Sequence, residues 1–304
     1  MKQRALLLIN PKARRGDESH EQIRAQLVSG GLELIEPQST GDDLAALILE
    51  HAPNVDMVIL GGGDGTINRS LRSLLTVNLP IGILPLGTAN DLVRTLQLPT
   101  DLRAACDVIL AGHTNTIDIG WANNRPFVNV ASIGVAVNVT RRLTQGAKSR
   151  WGVVAYFWAA VRAMLSGRPF RVEIVSGTQR RTAKTWQIAV GNGRHYGGGL
   201  TIHNDARIDD GRLDLYSLEI EHGWQVLLLL PALCRGNLEP NNSVFTMHGT
   251  EFEIRPLHRT RRITADGELL GHTPAVFRIE PKALTVFAAE PEALADSNRQ
   301  TQIG

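Results

Sequence analysis

Residues 60–70 read LGGGDGTINRS and residues 84–91 read LPLGTAND. Each stretch follows a short apolar run and precedes a helical pattern. A glycine costs about 0.5–1 kcal/mol relative to alanine in a regular element, so Gly61, Gly62, Gly63 and Gly65 within five positions imply a close approach to the backbone. Small residues and free N–H groups at a helix start suit a phosphate, through both the donors and the helix dipole. Thr66, Thr88 and Asn90 add side-chain donors. For either loop alone, helix capping by Asp64, Thr88 or Asn90 explains the residues equally well. Two such loops at neighbouring strand ends favour phosphate binding.

Asp64 refines that chemistry. A carboxylate repels a phosphate unless a divalent cation lies between them, so the pattern points to Mg²⁺ with a nucleotide rather than to anion capture. Other phosphate loops are absent: there is no GxxxxGK[ST], and GxGxxG read from Gly61 or Gly63 lacks its third glycine. Asn10-Pro11-Lys12 forms a further turn after the first strand, where Asn10 is either a turn former or a nucleotide contact. Far downstream, Asp266-Gly267 marks a hairpin between Ile263-Thr264-Ala265 and Leu269-Leu270. That turn leaves Glu268 unexplained. A free glutamate, with a pKa of about 4.3, is a weak base toward an alcohol, but phosphoryl transfer asks mainly for positioning and a late proton acceptor.

The elements that must position these residues follow from periodicity. Strands are expected at Ala5–Ile9, Leu32–Ile35, Met57–Leu60 and Ile81–Leu84. Helices are expected at Glu21–Val28, at Asp42–His51 capped by Thr40 or Asp42, from about Thr66 to Leu75, from near Asn90, and at Leu102–Leu110. This βαβα order predicts a parallel sheet with helices on both faces, with ligands beyond the C-terminal strand ends. After Thr116 the pattern turns to short strands: Thr116–Ala122, Phe127–Ile133, Phe170–Ser176, Thr185–Gly191, Arg212–Leu218, Thr250–Ile254, Arg262–Ala265, Ala275–Ile279 and Leu284–Ala288. These predict a β sandwich, interrupted by one helix at Trp151–Leu165. The expected division is 1–120 as a nucleotide-binding α/β domain and 121–284 as the sandwich, with 285–304 packing back on the first.

Bulk properties narrow the function. The 304 residues give two domains by length, and a net charge of +2 from 32 basic and 30 acidic residues is too even to imply nucleic acid. Cys106 and Cys234 lie far apart without metal spacing, as free thiols in a reducing compartment. No signal peptide or apolar run long enough to span a bilayer is present. The expectation is a cytoplasmic protein with peripheral membrane contact at most. Trp151–Leu165, with Arg141, Arg142, Lys148, Arg150, Arg162 and Arg168 around it, reads as a core helix before a lipid-docking one.

Gly62-Gly63-Asp64-Gly65-Thr66 followed by Pro85-Leu86-Gly87-Thr88-Ala89-Asn90-Asp91 resembles the catalytic domain of the diacylglycerol kinase family, in particular its soluble bacterial lipid kinases of the YegS type. The likeness spans about residues 4–290. It includes Asn10-Pro11, Gly191-Asn192-Gly193-Arg194 with Gly197-Gly198-Gly199, Ile208-Asp209-Asp210-Gly211, and Asp266-Gly267-Glu268. GGDGT alone is shared with NAD kinases and is similar to a phosphofructokinase motif.

The resemblance implies an ATP site between the two domains. Its nucleotide contacts map to Gly62, Gly63, Asp64, Gly65, Thr66, Ile67 and Asn68, to Thr88, and to Thr40 or its neighbour Ser39. It implies a structural Mg²⁺ or Ca²⁺ site at Arg207, Asp210 and Arg212, partly through backbone carbonyls, and Glu268 as proton acceptor. Arg69 stands where the family often has an acid. The expected function is ATP- and Mg²⁺-dependent phosphorylation of a lipid hydroxyl, of the diacylglycerol or phosphatidylglycerol type, in phospholipid biosynthesis. The lipid is met at the membrane surface, and a homodimer is left open. The alternatives are an NAD kinase-like small-molecule kinase and a non-catalytic nucleotide or lipid sensor on the same fold.

Overall fold

The computed structural model describes residues 2–10, 16–38, 43–134, 168–193, 195–196, 200–201, 207–222, 225, 243–266 and 268–289. Thr40, the helix expected over Trp151–Leu165 and the tail from Pro291 lie outside these residues. The chain divides into two compact units, Met1–Ile117 with Lys282–Gly304, and Asp118–Pro281.

The first unit runs β1 (Arg4–Ile9), α1 (Gly16–Ser29), β2 (Glu33–Ile35), α2 (Leu44–His51), β3 (Met57–Gly62), α3 (Asp64–Val77), β4 (Ile81–Pro85), α4 (Asp91–Thr95) and α5 (Leu102–Ala111). Its strands are parallel in the order β2-β1-β3-β4, with Ala5 opposite Met57 and Val58 opposite Ile81. The runs LLLI and MVIL lack polar alternation because both faces of such a sheet are covered. Ala5, Leu7, Met57 and Ile59 pack with Ile23 and Leu27 of α1 and with Ala105, Cys106 and Ile109 of α5. Leu6, Leu8, Val58 and Leu60 point the other way and are also buried, and α2 and α3 pack against β1 and β3. This is the α/β architecture expected from the sequence.

Several element ends differ from expectation. α3 begins at Asp64 rather than Thr66, so Gly63 occupies its N-cap position without a side-chain cap. α2 begins at Leu44, and Asp43 at its N-cap makes no side-chain cap bond. α1 starts at Gly16, ahead of Glu21. At the starts of α1 and α3 polar or glycine residues carry no apolar periodicity, so the pattern understates these helices, whereas α2 starts two residues later than the expected Asp42.

The chain continues from β5 (Thr114–Ala122), which enters the second unit at Asp118, through β6 (Arg125–Phe127), β7 (Val130–Gly134), β8 (Phe170–Ser176), β9 (Gln179–Thr185), β10 (Gln187–Gly191), β11 (His195–Tyr196), β12 (Leu200–Thr201), β13 (Leu213–Leu218), β14 (Val244–Gly249), β15 (Glu251–Pro256), β16 (Arg262–Ala265), β17 (Glu268–His272) and β18 (Ala275–Phe287), which leaves it after Pro281. One antiparallel sheet has the order β14-β13-β10-β7-β16-β17. Facing it, β15 lies between β8 and the start of β18, with β9 at the edge. Ile133, Ile188, Leu215 and Ile263 from the first sheet share one core with Phe170, Val172, Phe252 and Phe277 from the second. The expected sandwich is present.

Its strand limits needed tertiary information. The expected Phe127–Ile133 strand is two strands, because residues 128–130 give their N–H groups to the Asp266 carboxylate instead of a neighbouring strand. Thr185–Gly191 breaks at Trp186, whose N–H bonds Leu218. β9 reads QRRTAKT and buries only Ala183 and Thr185, too little apolar signal to find it from sequence. β14 was likewise missed. Ala275–Ile279 and Leu284–Ala288 join into the single β18, which passes through Pro281 and a positive φ at Lys282.

Cys106 is fully buried on the face of α5 that packs on the sheet, and its thiol pKa is pushed up to about 11, chiefly by burial, with Asp107 and Asp101 adding to it. The unfolded thiol ionises near pH 8.5. Its contribution to stability is therefore complete below that pH and is lost as pH rises toward the folded value. In a Cys234→Ser background we expect Cys106 to resist a disulfide reagent at about pH 8 and to react once denaturant is added. Prompt labelling of the native protein would overturn this burial.

Candidate active site

The two loops singled out in the sequence lie side by side at the C-terminal ends of β3 and β4. A Cβ built on Gly63 would meet the Gly87 Cα at 2.9 Å, and one on Gly87 would meet the Gly63 Cα at 2.4 Å. Leu86 N–H donates to the Gly62 carbonyl at 3.1 Å. Asp64, at the first position of α3, accepts from the Leu92 N–H in α4 at 3.1 Å. Asp64 thus ties one helix N-terminus to the other.

This geometry sorts the glycines. At Gly61 a Cβ would meet Ile9 at 2.9 Å and Leu86 at 3.0 Å, and at Gly62 it would meet the Thr66 side chain at 2.5 Å. Gly61, Gly62, Gly63 and Gly87 are therefore required by the protein's own packing. At Gly65 the nearest atom is Arg69 Nη1 at 3.8 Å, an ordinary contact. Only Gly65, in a helical turn where alanine is intrinsically better by about 1 kcal/mol, has no internal reason to be glycine.

Asn10 is buried; its N–H donates to the Gly61 carbonyl at 2.8 Å and its Nδ2 to Thr66 Oγ1 at 2.9 Å. Thr66 is also buried, and its N–H and that of Ile67 both reach the Gly63 carbonyl. The Ile67 side chain is part of the core, Asn68 is half-buried, and Thr88 is exposed. Asn90 holds a left-handed backbone at φ 49° and donates from Nδ2 to the Gly87 carbonyl at 3.2 Å, so it shapes the loop without capping α4 by its side chain. Among the described residues, the N–H groups of Asp64, Gly65, Thr88 and Ala89 have no hydrogen-bond partner. The arrangement offers four backbone donors beside one carboxylate.

Asp64 keeps one carboxylate oxygen without a hydrogen-bond donor among the described residues. That suits a Mg²⁺ carried by nucleotide phosphates, since this ion commonly takes only one or two protein carboxylates. Among the described residues no group of three or more His, Cys, Asp or Glu stands together as a metal cage.

In the second unit, Glu268 opens β17 directly opposite Ala265 of β16. The intervening Asp266 has φ 47°, as a two-residue hairpin turn requires. Asp266 does more than turn the chain. Its carboxylate accepts from the N–H groups of Val128, Asn129 and Val130 at 2.8, 3.1 and 3.1 Å. Asn192 completes the lattice, donating Nδ2 to the carbonyls of Asp118 and Val128 at 2.7 and 2.8 Å and its N–H to that of Asn129. Glu268 is half-buried at the end of a pinned hairpin.

The turn at Arg207, Asp210 and Arg212 is also held from below. Gly211 N–H donates to Asp118 at 2.6 Å, and Asp118 is 1% exposed. Arg212 Nε lies 3.0 Å from Asp210, and Arg207 forks onto Asp209. With these carboxylates facing arginines, a cation here would depend on backbone carbonyls. Asp118 and Asn192 were not named as site residues from the sequence. The signal for Asp118 was a lone carboxylate between Ile117 and Ile119 in an expected strand.

Two family models match successive parts of the chain. The diacylglycerol kinase catalytic domain model matches residues 4–122, and the YegS C-terminal NAD kinase beta sandwich-like domain model matches residues 129–288. A protein of Klebsiella pneumoniae named "Probable lipid kinase YegS-like" is 34% identical over 236 residues, 76% of this chain and 77% of that one. A similar Enterobacter protein is 32% identical and covers 92% of this chain and 94% of its own. A diacylglycerol kinase of Mycobacterium tuberculosis is 31% identical over 78% of both chains. The crystal structure of a diacylglycerol kinase from Bacillus anthracis superposes with a TM-score of 0.75 at 23% identity, over 96% of this chain and 98% of that one; at that identity it speaks to fold.

Two substitution sets test the geometry. Gly87→Ala should cost about 1–3 kcal/mol by overpacking, whereas Gly65→Ala should leave thermal stability unchanged or raised. Asp266→Ala should cost about 3 kcal/mol by stranding three backbone donors, and Asp266→Asn clearly less. Calorimetry or denaturant melts check each. Equal stabilities for Gly65→Ala and Gly87→Ala would contradict the loop contact.

Proposed function

The chain belongs to the family of diacylglycerol kinases and YegS-like lipid kinases, and from that premise we propose that it transfers the γ-phosphoryl group of ATP to a hydroxyl of a diacylglycerol- or phosphatidylglycerol-type lipid. The observation that carries the nucleotide half is the pair of joined loops, with backbone N–H groups left for a ligand and a glycine at 65 that the fold itself does not need. The N–H groups of Asp64, Gly65, Thr88 and Ala89 bind phosphate oxygens, and Thr88 adds its hydroxyl. Asn10 and Thr66 hold the first loop in shape. Thr40 is kept as a nucleotide contact by resemblance. Arg69, whose guanidinium sits beside Gly65, adds positive charge where the family often has an acid.

A Mg²⁺ held by the second oxygen of Asp64 would neutralise charge on the phosphates. Glu268 orients the lipid hydroxyl. As that oxygen bonds the γ-phosphorus and the bond to the β-phosphate oxygen breaks, Glu268 takes the hydroxyl proton. Asp266 is a positioning residue for Glu268. We assign Arg207, Asp210 and Arg212 to support of the second unit, with no part in the transfer.

The test is transfer of label from ATP, with Mg²⁺, to a panel of lipids in mixed micelles and to NAD. Transfer to one or more lipids is expected, and transfer to NAD but no lipid would overturn the reading. Asp64→Ala and Glu268→Ala should each lose about 10²–10⁴ in turnover; full activity in both would remove the residue assignments. Gly65→Ala should raise the KM for ATP about tenfold or more without loss of stability, since a methyl group there stands between phosphate and backbone. Unchanged KM would mean that Gly65 faces no ligand.

A further inference from the structure

One end of the second unit is strongly basic. The connection from β15 to β16 reads RPLHRTRR over residues 255–262, with no acid. Leu257 N–H donates to the Arg171 carbonyl on β8 at 3.0 Å, so this connection lies against β8. Arg171 in turn stands directly opposite Lys184 of β9. The Arg261 guanidinium covers the Phe170 ring at 4.7 Å, which brings the far end of the connection to the same place. Arg168 leads into β8 here.

Some of these cations are already matched. Arg255 is bound by Glu253 at 2.6 Å and by Glu173 at 3.6 Å, and Glu173 also faces Arg180. Arg168, Arg171, Lys184, Arg259 and Arg262 are exposed and make no ion pair among the described residues. Beside them Leu257 is 49% exposed.

Guarding the edge strand β9 against pairing explains Lys184, but Arg171 lies one strand in, and Arg259 and Arg262 lie beyond it. Like charges directly opposite on neighbouring strands are unfavourable in the isolated protein. A pair such as Arg171–Lys184 becomes favourable when an anionic surface covers it. We propose that this end of the second unit docks on an anionic phospholipid surface, with Arg168, Arg171, Lys184, Arg259 and Arg262 meeting lipid phosphates and Leu257 entering the interface. Basic residues next to such a membrane each contribute about a fivefold gain in binding at low salt, and an exposed leucine among them suits lipid better than nucleic acid.

The placement also serves the site. Arg262 begins β16 and pairs with His272, while Ala265 ends it opposite Glu268. Arg262, the member of this basic set on β16, therefore stands about 10 Å along its strand from the residue opposite Glu268. This inference rests on the lipid kinase reading for its substrate but not for its binding readout.

Sedimentation of the full chain with vesicles of phosphatidylcholine, with and without phosphatidylglycerol, tests it. The wild type should bind only the anionic vesicles and lose binding as salt rises. Arg171→Glu places opposite charges on β8 and β9, so it should keep the melting temperature while binding anionic vesicles about tenfold more weakly. Leu257→Ser should also weaken binding, and Arg103→Glu, the same charge change on α5, should not. Unchanged binding by Arg171→Glu and Leu257→Ser, or duplex DNA bound in preference to the vesicles, would overturn the proposal. A chain that binds anionic vesicles through these residues yet phosphorylates no lipid would instead overturn the kinase reading and leave the surface standing.

Discussion

The contact of Gly63 with Gly87, locked by the bond from Leu92 N–H to Asp64, is the constraint on which the candidate nucleotide site depends. Two strands of a parallel sheet end about 4.8 Å apart, and each feeds a helix. Side chains at these two positions would force the loops apart. Without them, both helix starts converge, and their partial positive charges add over one small volume. A single phosphate-binding loop is common; two held at backbone contact form a recess with donors on both sides. Asp64 has a place in both halves of this arrangement, since one oxygen joins the helices while the other is left for a cation.

The second unit uses a carboxylate in a related way. Asp266 gathers three consecutive N–H groups of residues 128–130, and Asn192 takes the carbonyls of 128 and 129. A stretch of backbone that leaves the β ladder thereby satisfies its polar groups internally, as buried backbone must. The result is a stiff platform beneath the hairpin that carries Glu268. A base that must meet a hydroxyl within hydrogen-bond distance gains most from such rigidity, because misplacement of even 1 Å lowers rates strongly. Both units thus spend acidic side chains on backbone donors in order to aim a neighbouring group.

Charge has a different distribution from these sites. The chain as a whole is close to neutral at +2, which argued against nucleic acid from composition alone. Locally, Glu173 of β8 and Glu253 of β15 are taken by Arg180 and Arg255, and the cations left over gather at the end of the sandwich. Composition averages over that separation, and neighbouring sequence positions hide it, because Arg171 and Lys184 come from the two strands of one hairpin and Arg259 from a segment far along the chain. Only strand pairing places them on one surface.

What the sequence determined by itself was the order and type of the elements and the two glycine loops. Apolar runs and helical spacing are local properties of the chain, and the motif residues are contiguous. The sandwich was legible as a class, although the break between β6 and β7 and the polar β9 were not. Tertiary structure alone decided why each glycine is present. Gly61, Gly62, Gly63 and Gly65 look alike in sequence, yet three of them face Ile9, Thr66 and Gly87, while Gly65 meets nothing closer than an arginine tip. It likewise turned Asp266 from a turn residue into an anchor and drew Asp118 and Asn192 into the design. These roles depend on partners dozens of residues away, and no local pattern carries a distance across the fold.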